Sequence, residues 1–288
     1  MKLIFFGAGY CSRYILPLLG EEFQIICTHN KNIKNEDFDK KKKITRITFD
    51  DFVKNKKLLE GVTHIINSIP PINGNDLVYQ FLESSRHEVF KNLKWFGYLS
   101  STSVYGNHFG KWVNEKTIIK PETLRGKNRQ IVETLFLKIF HTKKFPTHIF
   151  RLPGIYGPGR SALEKLNKNN KLVIRKKNHF FSRIHVEDIA SAIICSMKKI
   201  TPGEIFNITD NFPCSAERVS EFAAKLLNIK NLEYVNLDSN LINDRVKDFY
   251  SDNKKVSNKK IKKILGWTPK FENYKLGLEN IYKQIING

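Results

Sequence analysis

The first half of the chain alternates short apolar runs with segments of helical spacing. Leu3 to Phe6 is an apolar run ending at Gly7, and Tyr10 to Leu19 has the spacing of a helix. Phe23 to Thr28, Ile44 to Phe49, Val62 to Asn67 and Trp95 to Ser100 read as further strands. Glu122 to His141 contains a long amphipathic helix, with Ile131, Leu135 and Ile139 recurring on one face. Thr147 to Leu152 is the sixth strand. Strands that are apolar almost throughout, separated by helices, belong to a parallel sheet covered on both faces. The expected fold is α/β, a Rossmann-like doubly wound parallel sheet with a smaller C-terminal lobe.

After Gly159 the pattern changes. Residues 161–181 are Lys-rich, Arg183 to Ala190 is expected to open another helix, and Glu204 to Thr209 looks like a strand. No internal repeat or low-complexity linker interrupts the chain. At 288 residues and 41% hydrophobic content, it suits one large unit or one unit with an added lobe. Apolar runs of about eighteen residues are lacking, so no membrane span is expected. The apolar start at Met1–Gly7 is better read as a buried strand than as a leader. Cys11, Cys27, Cys195 and Cys214 show no paired spacing, so neither a disulfide framework nor a metal site is indicated and a reducing cytoplasm is expected. The net charge of +21 comes mostly from lysines spread along the chain. The densest run, Lys40–Lys43, falls between predicted elements and has no DNA or RNA motif beside it, so nucleic acid is not the expected partner. A phosphate-bearing ligand is the more economical use of this field.

Gly7-Ala8-Gly9-Tyr10-Cys11-Ser12 stands between a predicted strand and a predicted helix. In that context two glycines allow a tight turn and a close approach of backbone to a pyrophosphate, and a small third residue lets helix and strand pack. A plain strand–turn–helix corner is the alternative. The end of the second strand, Thr28-His29-Asn30-Lys31, offers no carboxylate to a ribose 2′-hydroxyl before Glu36. Arg13, His29 and Lys31 would instead suit a 2′-phosphate, which favours NADP, with NAD the alternative.

Later segments carry a resemblance to the extended short-chain dehydrogenase/reductases, the superfamily of nucleotide-sugar epimerases and dehydratases. They are Leu99–Gly106, Arg151–Gly159, Arg183–Ala190, Phe206–Ile208, and Lys263–Pro269 followed by Gly277-Leu278. The resemblance covers nearly the whole chain. It implies that residues 1–160, completed by about 183–210, bind the dinucleotide. Residues 161–288 then form mainly a substrate-side lobe that is not independent. It places Gly7, Gly9 and Tyr10 beneath the pyrophosphate and Asp50 at the adenine amino group, with Phe49 nearby. Asn67–Pro71, including Ser68 and Pro70, would line the riboses, and Pro153 would approach the nicotinamide carboxamide. Alternatively, Pro70-Pro71 end a strand, Tyr105 and Tyr156 are core aromatics, and His185 and Asp188 form a structural cap.

The same superfamily carries a catalytic Tyr-x-x-x-Lys with a Ser or Thr hydroxyl. Ser101 matches the hydroxyl, with Thr102 adjacent. Arg125 and Arg129 stand at the Tyr and Lys positions, with Pro121 before them and Glu133 after. A guanidinium keeps its proton near neutrality and cannot act as a general acid–base, but it can hold a carboxylate, a phosphate or a developing oxyanion. Arg125 and Arg129 are four apart on a predicted helix and so share a face, which either lines the nicotinamide-side pocket or faces solvent. Tyr105, Tyr156, His108 and Lys127 are other candidates for moving a proton. The favoured reading is an oxidoreductase, epimerase or dehydratase of atypical mechanism acting on a small polar substrate such as a sugar or nucleotide-sugar. The alternative is a non-catalytic dinucleotide sensor or scaffold. A homodimer is compatible with both.

Overall fold

The computed structural model describes residues 1–30, 44–168 and 170–287. Lys31, Glu36 and the Lys40–Lys43 run lie outside the described residues.

β1 (Lys2–Phe6), β2 (Gln24–His29), β3 (Ile44–Thr48), β4 (His64–Asn67) and β5 (Trp95–Ser101) join Thr147–Leu152 and Ile205–Asn207 in one seven-stranded sheet. Its order is Ile205–Asn207, Thr147–Leu152, β5, β4, β1, β2, β3. The pairings β1–β2, β2–β3, β1–β4 and β4–β5 are all parallel. The chain starts mid-sheet at β1, runs outward through β2 and β3, then crosses back to β4 on the other side of β1. The order therefore reverses between β1 and β4, where Phe6 pairs with Asn67. A parallel sheet opens its ligand crevice at the carboxyl ends of strands at such a reversal.

Both faces of the sheet are covered, as the continuous apolar strands require. Neighbouring residues of β5 show it. Phe96 packs 4.6 Å from Phe136 of the helix Leu124–Lys143, and the indole N–H of Trp95 donates to Ser196 Oγ of the helix Val186–Lys198. The helices in chain order are α1 (Ser12–Ile15), α2 (Phe49–Lys54), α3 (Leu77–Glu83), α4 (Leu124–Lys143), α5 (Ala162–Asn167) and α6 (Val186–Lys198). Ile4, Phe6, Phe52, Val78, Phe81, Phe96, Val132 and Phe136 belong to one buried core against α2, α3 and α4.

Two expectations need correction. The helix expected over Tyr10 to Leu19 shrinks to α1 followed by a tighter turn at Leu16–Leu18. Pro17 lies in that turn, and proline has no N–H to extend an α-helix. Arg183–His185, expected to open a helix, is a short strand paired in parallel with Gly154–Tyr156, and α6 starts only at Val186.

The chain divides into two compact, interleaved units. The first comprises Met1–Ser101, Lys127–Arg151 and Ile189–Phe206; the second comprises Thr102–Gly126, Leu152–Asp188 and Asn207–Gly288. In the second unit, Leu172–Arg175 pairs in parallel with Glu233–Asn236. The Asp188 carboxylate accepts the N–H groups of Lys270 and Phe271 at 2.6 and 3.0 Å and so ties down the C-terminal segment. Burial raises the pKa of this carboxyl to about 6.

Candidate functional site

Gly7 ends β1 in the left-handed region, at φ +77°. Its N–H donates to Thr28 Oγ1 at 3.1 Å, and the Ala8 N–H donates to the Thr28 carbonyl at 2.8 Å. The Gly7 carbonyl accepts from Ser68 Oγ at 2.6 Å. The turn is thus pinned from both sides, by the end of β2 and by the loop after β4. Gly9 differs. A Cβ there would meet only the Gly7 carbonyl, at 3.8 Å, and the residue is exposed. Ser12, in the third position of the motif, is fully buried and donates from Oγ to the Gly9 carbonyl at 2.7 Å. The result is bare backbone held rigidly at the reversal of strand order. It fits the pyrophosphate of a dinucleotide, which needs a surface without side chains.

The other cofactor-side candidates of the first unit differ in burial and contacts. Thr28 is fully buried, and its side chain supports the turn. His29 is half-buried at the end of β2, with Nδ1 2.9 Å from the Asn30 carbonyl oxygen. Arg13 is exposed on α1. Tyr10 is half-buried and packs edge-on against Tyr14 at 5.6 Å. Asp50 is exposed in the first turn of α2, which Thr48 caps by accepting from the Asp51 N–H. Pro70 is exposed and Ser68 half-buried. Pro153 belongs to the second unit and is half-buried.

Ser101 ends β5 and is 8% exposed. Arg125 and Arg129 share α4 but not their surroundings: Arg125 is exposed and Arg129 is buried. One Arg129 nitrogen donates to Tyr98 Oη and to the Leu99 carbonyl, each at 2.8 Å. Burial pushes the Tyr98 hydroxyl pKa up. Of the alternative proton carriers, Tyr105 is fully buried with its hydroxyl donating to Asn207 Oδ1 at 2.9 Å. His108 Nε2 lies 3.0 Å from the Tyr105 carbonyl oxygen, and Lys127 is exposed.

Two buried networks escaped the sequence patterns. Asn67 and Asp76 are joined, with the Asn67 amide donating to both carboxylate oxygens at 3.0 Å. Asp76 also accepts from the Tyr79 N–H at 2.8 Å and caps α3. An Asp just before the apolar Leu77-Val78 and Phe81-Leu82 pairs is a helix-start signal, and it could have marked this residue. Glu133 forms the second network with Ser100 and Arg151.

The second unit contains a cavity of about 430 Å³. Its wall includes Arg160, Lys165 and Arg183 and the rings of Phe181, Phe249 and Tyr274. Lys165 Nζ donates to the Leu172 carbonyl, and Arg183 to the carbonyls of Phe181 and Cys214. Tyr156 also lines it, yet its hydroxyl is buried with no hydrogen-bond partner among the described residues. An unsatisfied buried hydroxyl costs free energy. Tyr156→Phe is therefore expected to leave the melting temperature unchanged or slightly higher. A fall of about 4 °C or more in a thermal melt, roughly 1 kcal/mol or more, would contradict this.

The sheet order and the glycine turn after β1 define a Rossmann-like fold. Residues 76–209 match the model of the NAD dependent epimerase/dehydratase family. It is 28% identical over 201 residues to the dTDP-D-glucose 4,6-dehydratase of Homo sapiens, covering 66% of this chain and 55% of that protein. The chain spans about half the length of the curated relatives it matches. Among solved structures, a functionally unknown conserved protein from Silicibacter pomeroyi is 34% identical, with a TM-score of 0.84 and 98% of each chain covered. The dTDP-glucose 4,6-dehydratase of Bacillus anthracis, in complex with NAD, has the same fold at 19% identity and TM-score 0.77, with 100% of this chain and 97% of that one covered.

Proposed function

We propose that the protein binds a nicotinamide dinucleotide at the Gly7–Ser12 turn. On this reading it acts as an oxidoreductase, epimerase or dehydratase on a small polar substrate of the sugar or nucleotide-sugar kind. The observation that carries the reading is the bare, doubly pinned backbone at Gly7 and Gly9, set where the strand order reverses. The match of residues 76–209 to the epimerase/dehydratase family model and the dinucleotide and sugar-nucleotide chemistry named for similar proteins support it.

In this reading Ser101 orients the substrate oxygen and Arg125 holds an anionic or strongly polar substrate group. Arg129 is assigned to the nicotinamide side of the site. No tyrosine stands at position 125, so the proton transfer follows a route different from the usual Tyr-x-x-x-Lys. The second reading, a sensor or scaffold that binds the dinucleotide without chemistry, is favoured by the engagement of Arg129 with Tyr98 and Leu99. NADP is the proposed cofactor in preference to NAD, because the end of β2 presents His29 and no carboxylate, with Arg13 exposed on α1.

Calorimetric titration with both dinucleotides tests the cofactor. NADP is expected to bind more tightly, and Arg13→Ala to weaken NADP about tenfold while changing NAD little, as expected for a lost charge-assisted phosphate contact. Equal or tighter binding of NAD would refute the preference. A change in nicotinamide absorbance that depends on an added sugar nucleotide would establish the enzyme reading. Tight dinucleotide binding with no turnover across a panel of such substrates would leave the sensor.

A further inference from the structure

Asp76 is 1% exposed and stands nine residues after Asn67, across the loop that carries Ser68, Pro70 and Pro71. Both its oxygens accept from the Asn67 amide nitrogen at 3.0 Å. This sets which way the amide points, since a flipped Asn67 would turn its carbonyl oxygen against a carboxylate. The correctly turned carbonyl oxygen accepts from the Ile69 N–H at 3.0 Å. Ile69 in turn lies directly against the glycine turn: a Cβ on Gly7 would be 3.1 Å from its nitrogen. Ser68, one residue earlier, donates to the Gly7 carbonyl. The carboxylate therefore governs the conformation of the loop that closes over Gly7.

Burial raises the pKa of this carboxyl, opposed by its hydrogen bonds from the Tyr79 N–H and the Asn67 amide and, less, by the charge of Arg129. Arg129 holds Tyr98 and Leu99, the residues of β5 just before Ser100 and Ser101. A helix cap would explain only the Tyr79 contact, and serine caps a helix as well as aspartate does. The two-oxygen grip on Asn67 calls for another account.

Resting on the reading of the Gly7–Ser12 turn as a dinucleotide site, we propose that Asp76 is a positioning residue for the dinucleotide, holding the Ser68–Pro71 loop in register with Gly7 through Asn67.

A double-mutant cycle on the full chain, read as the dissociation constant for NADP and NAD, tests this. Asp76→Ser keeps the cap and removes the grip on Asn67, and Asn67→Ala breaks the same link from the other end. Each is expected to weaken the dinucleotide about tenfold or more through misplacement of the loop, with the double variant within about threefold of the weaker single. Leu82→Ala, a core change in the same helix, should lower the melting temperature yet leave the dissociation constant within about threefold. Singles that bind like the unaltered protein, effects that multiply in the double variant, or an equal loss in Leu82→Ala would each overturn the proposal. If Asp76→Ser does not fold, Asp76→Thr takes its place: its hydroxyl can still cap α3 but offers no second oxygen to Asn67, and unchanged affinity there overturns the proposal equally. Failure of the unaltered protein to bind either dinucleotide would instead defeat the dinucleotide reading itself.

Discussion

Replacing Gly7 by valine is expected to abolish dinucleotide binding and to lower the melting temperature. At φ +77° a β-branched side chain is forced into the left-handed region, which costs about 1–2 kcal/mol. The new Cβ would fall 2.7 Å from Ile69 Cγ1, 3.1 Å from Ile69 N and 3.3 Å from Ser68 Oγ. Ile69 Cγ1 can swing aside, but its nitrogen is backbone held by Asn67 and yields less easily. Overpacking of this kind adds roughly 1–3 kcal/mol. The loop after β4 and the turn after β1 would be driven apart, and the bare surface between them would be lost. Gly9→Ala supplies the contrast. Its Cβ meets nothing closer than 3.8 Å, so stability should hold. The methyl group would still cover the backbone that a pyrophosphate approaches, so binding should fall. Thermal melts and calorimetric titration of the two variants separate these effects. A Gly7→Val protein that binds and melts like the original would show that the turn does not form the site.

Much of the fold was legible because the strands are buried on both sides, which leaves long apolar runs with little ambiguity. Thr147–Leu152 was read with its observed bounds, and β1 to within one residue. The misreadings have local causes. Pro17 cuts α1 short, and the three residues Arg183–His185 are too few for alternation to separate a strand from the start of α6. Within the candidate site, the glycine turn could be read from sequence because its requirement is local: a residue able to take φ +77° directly after a strand. The support for that turn is not local. Thr28 and Ser68 reach Gly7 from 21 and 61 residues away, and Asp76 acts through Asn67. Likewise, four-residue spacing on a helix predicts a shared face for Arg125 and Arg129, yet burial differs sharply between them. Spacing fixes direction around the helix axis; it does not fix how far along that axis the covering elements extend.

The largest loss of stability is expected from Glu133→Ala. Glu133 on α4 and Arg151 on Thr147–Leu152 have side chains only 3% exposed. Arg151 Nη2 donates to Glu133 Oε2 at 2.6 Å, its Nε lies 3.1 and 3.2 Å from the two carboxylate oxygens, and Ser100 Oγ donates to Oε1 at 2.6 Å. Truncating the glutamate leaves a guanidinium in the sheet core without its counter-charge and a serine without its acceptor. Breaking a buried pair from one side costs about 3–5 kcal/mol, which lowers the melting temperature of a chain this size by roughly 6–20 °C. The pair itself is a different matter. Taking two charges out of water is expensive, so removing both together returns much of what their attraction supplies. Glu133→Leu combined with Arg151→Met should therefore be clearly more stable than Glu133→Ala alone. Chemical denaturation of the single and double variants decides the point. If the double variant is no more stable than the single, the damage lies in packing of α4 against the sheet and not in the stranded charge.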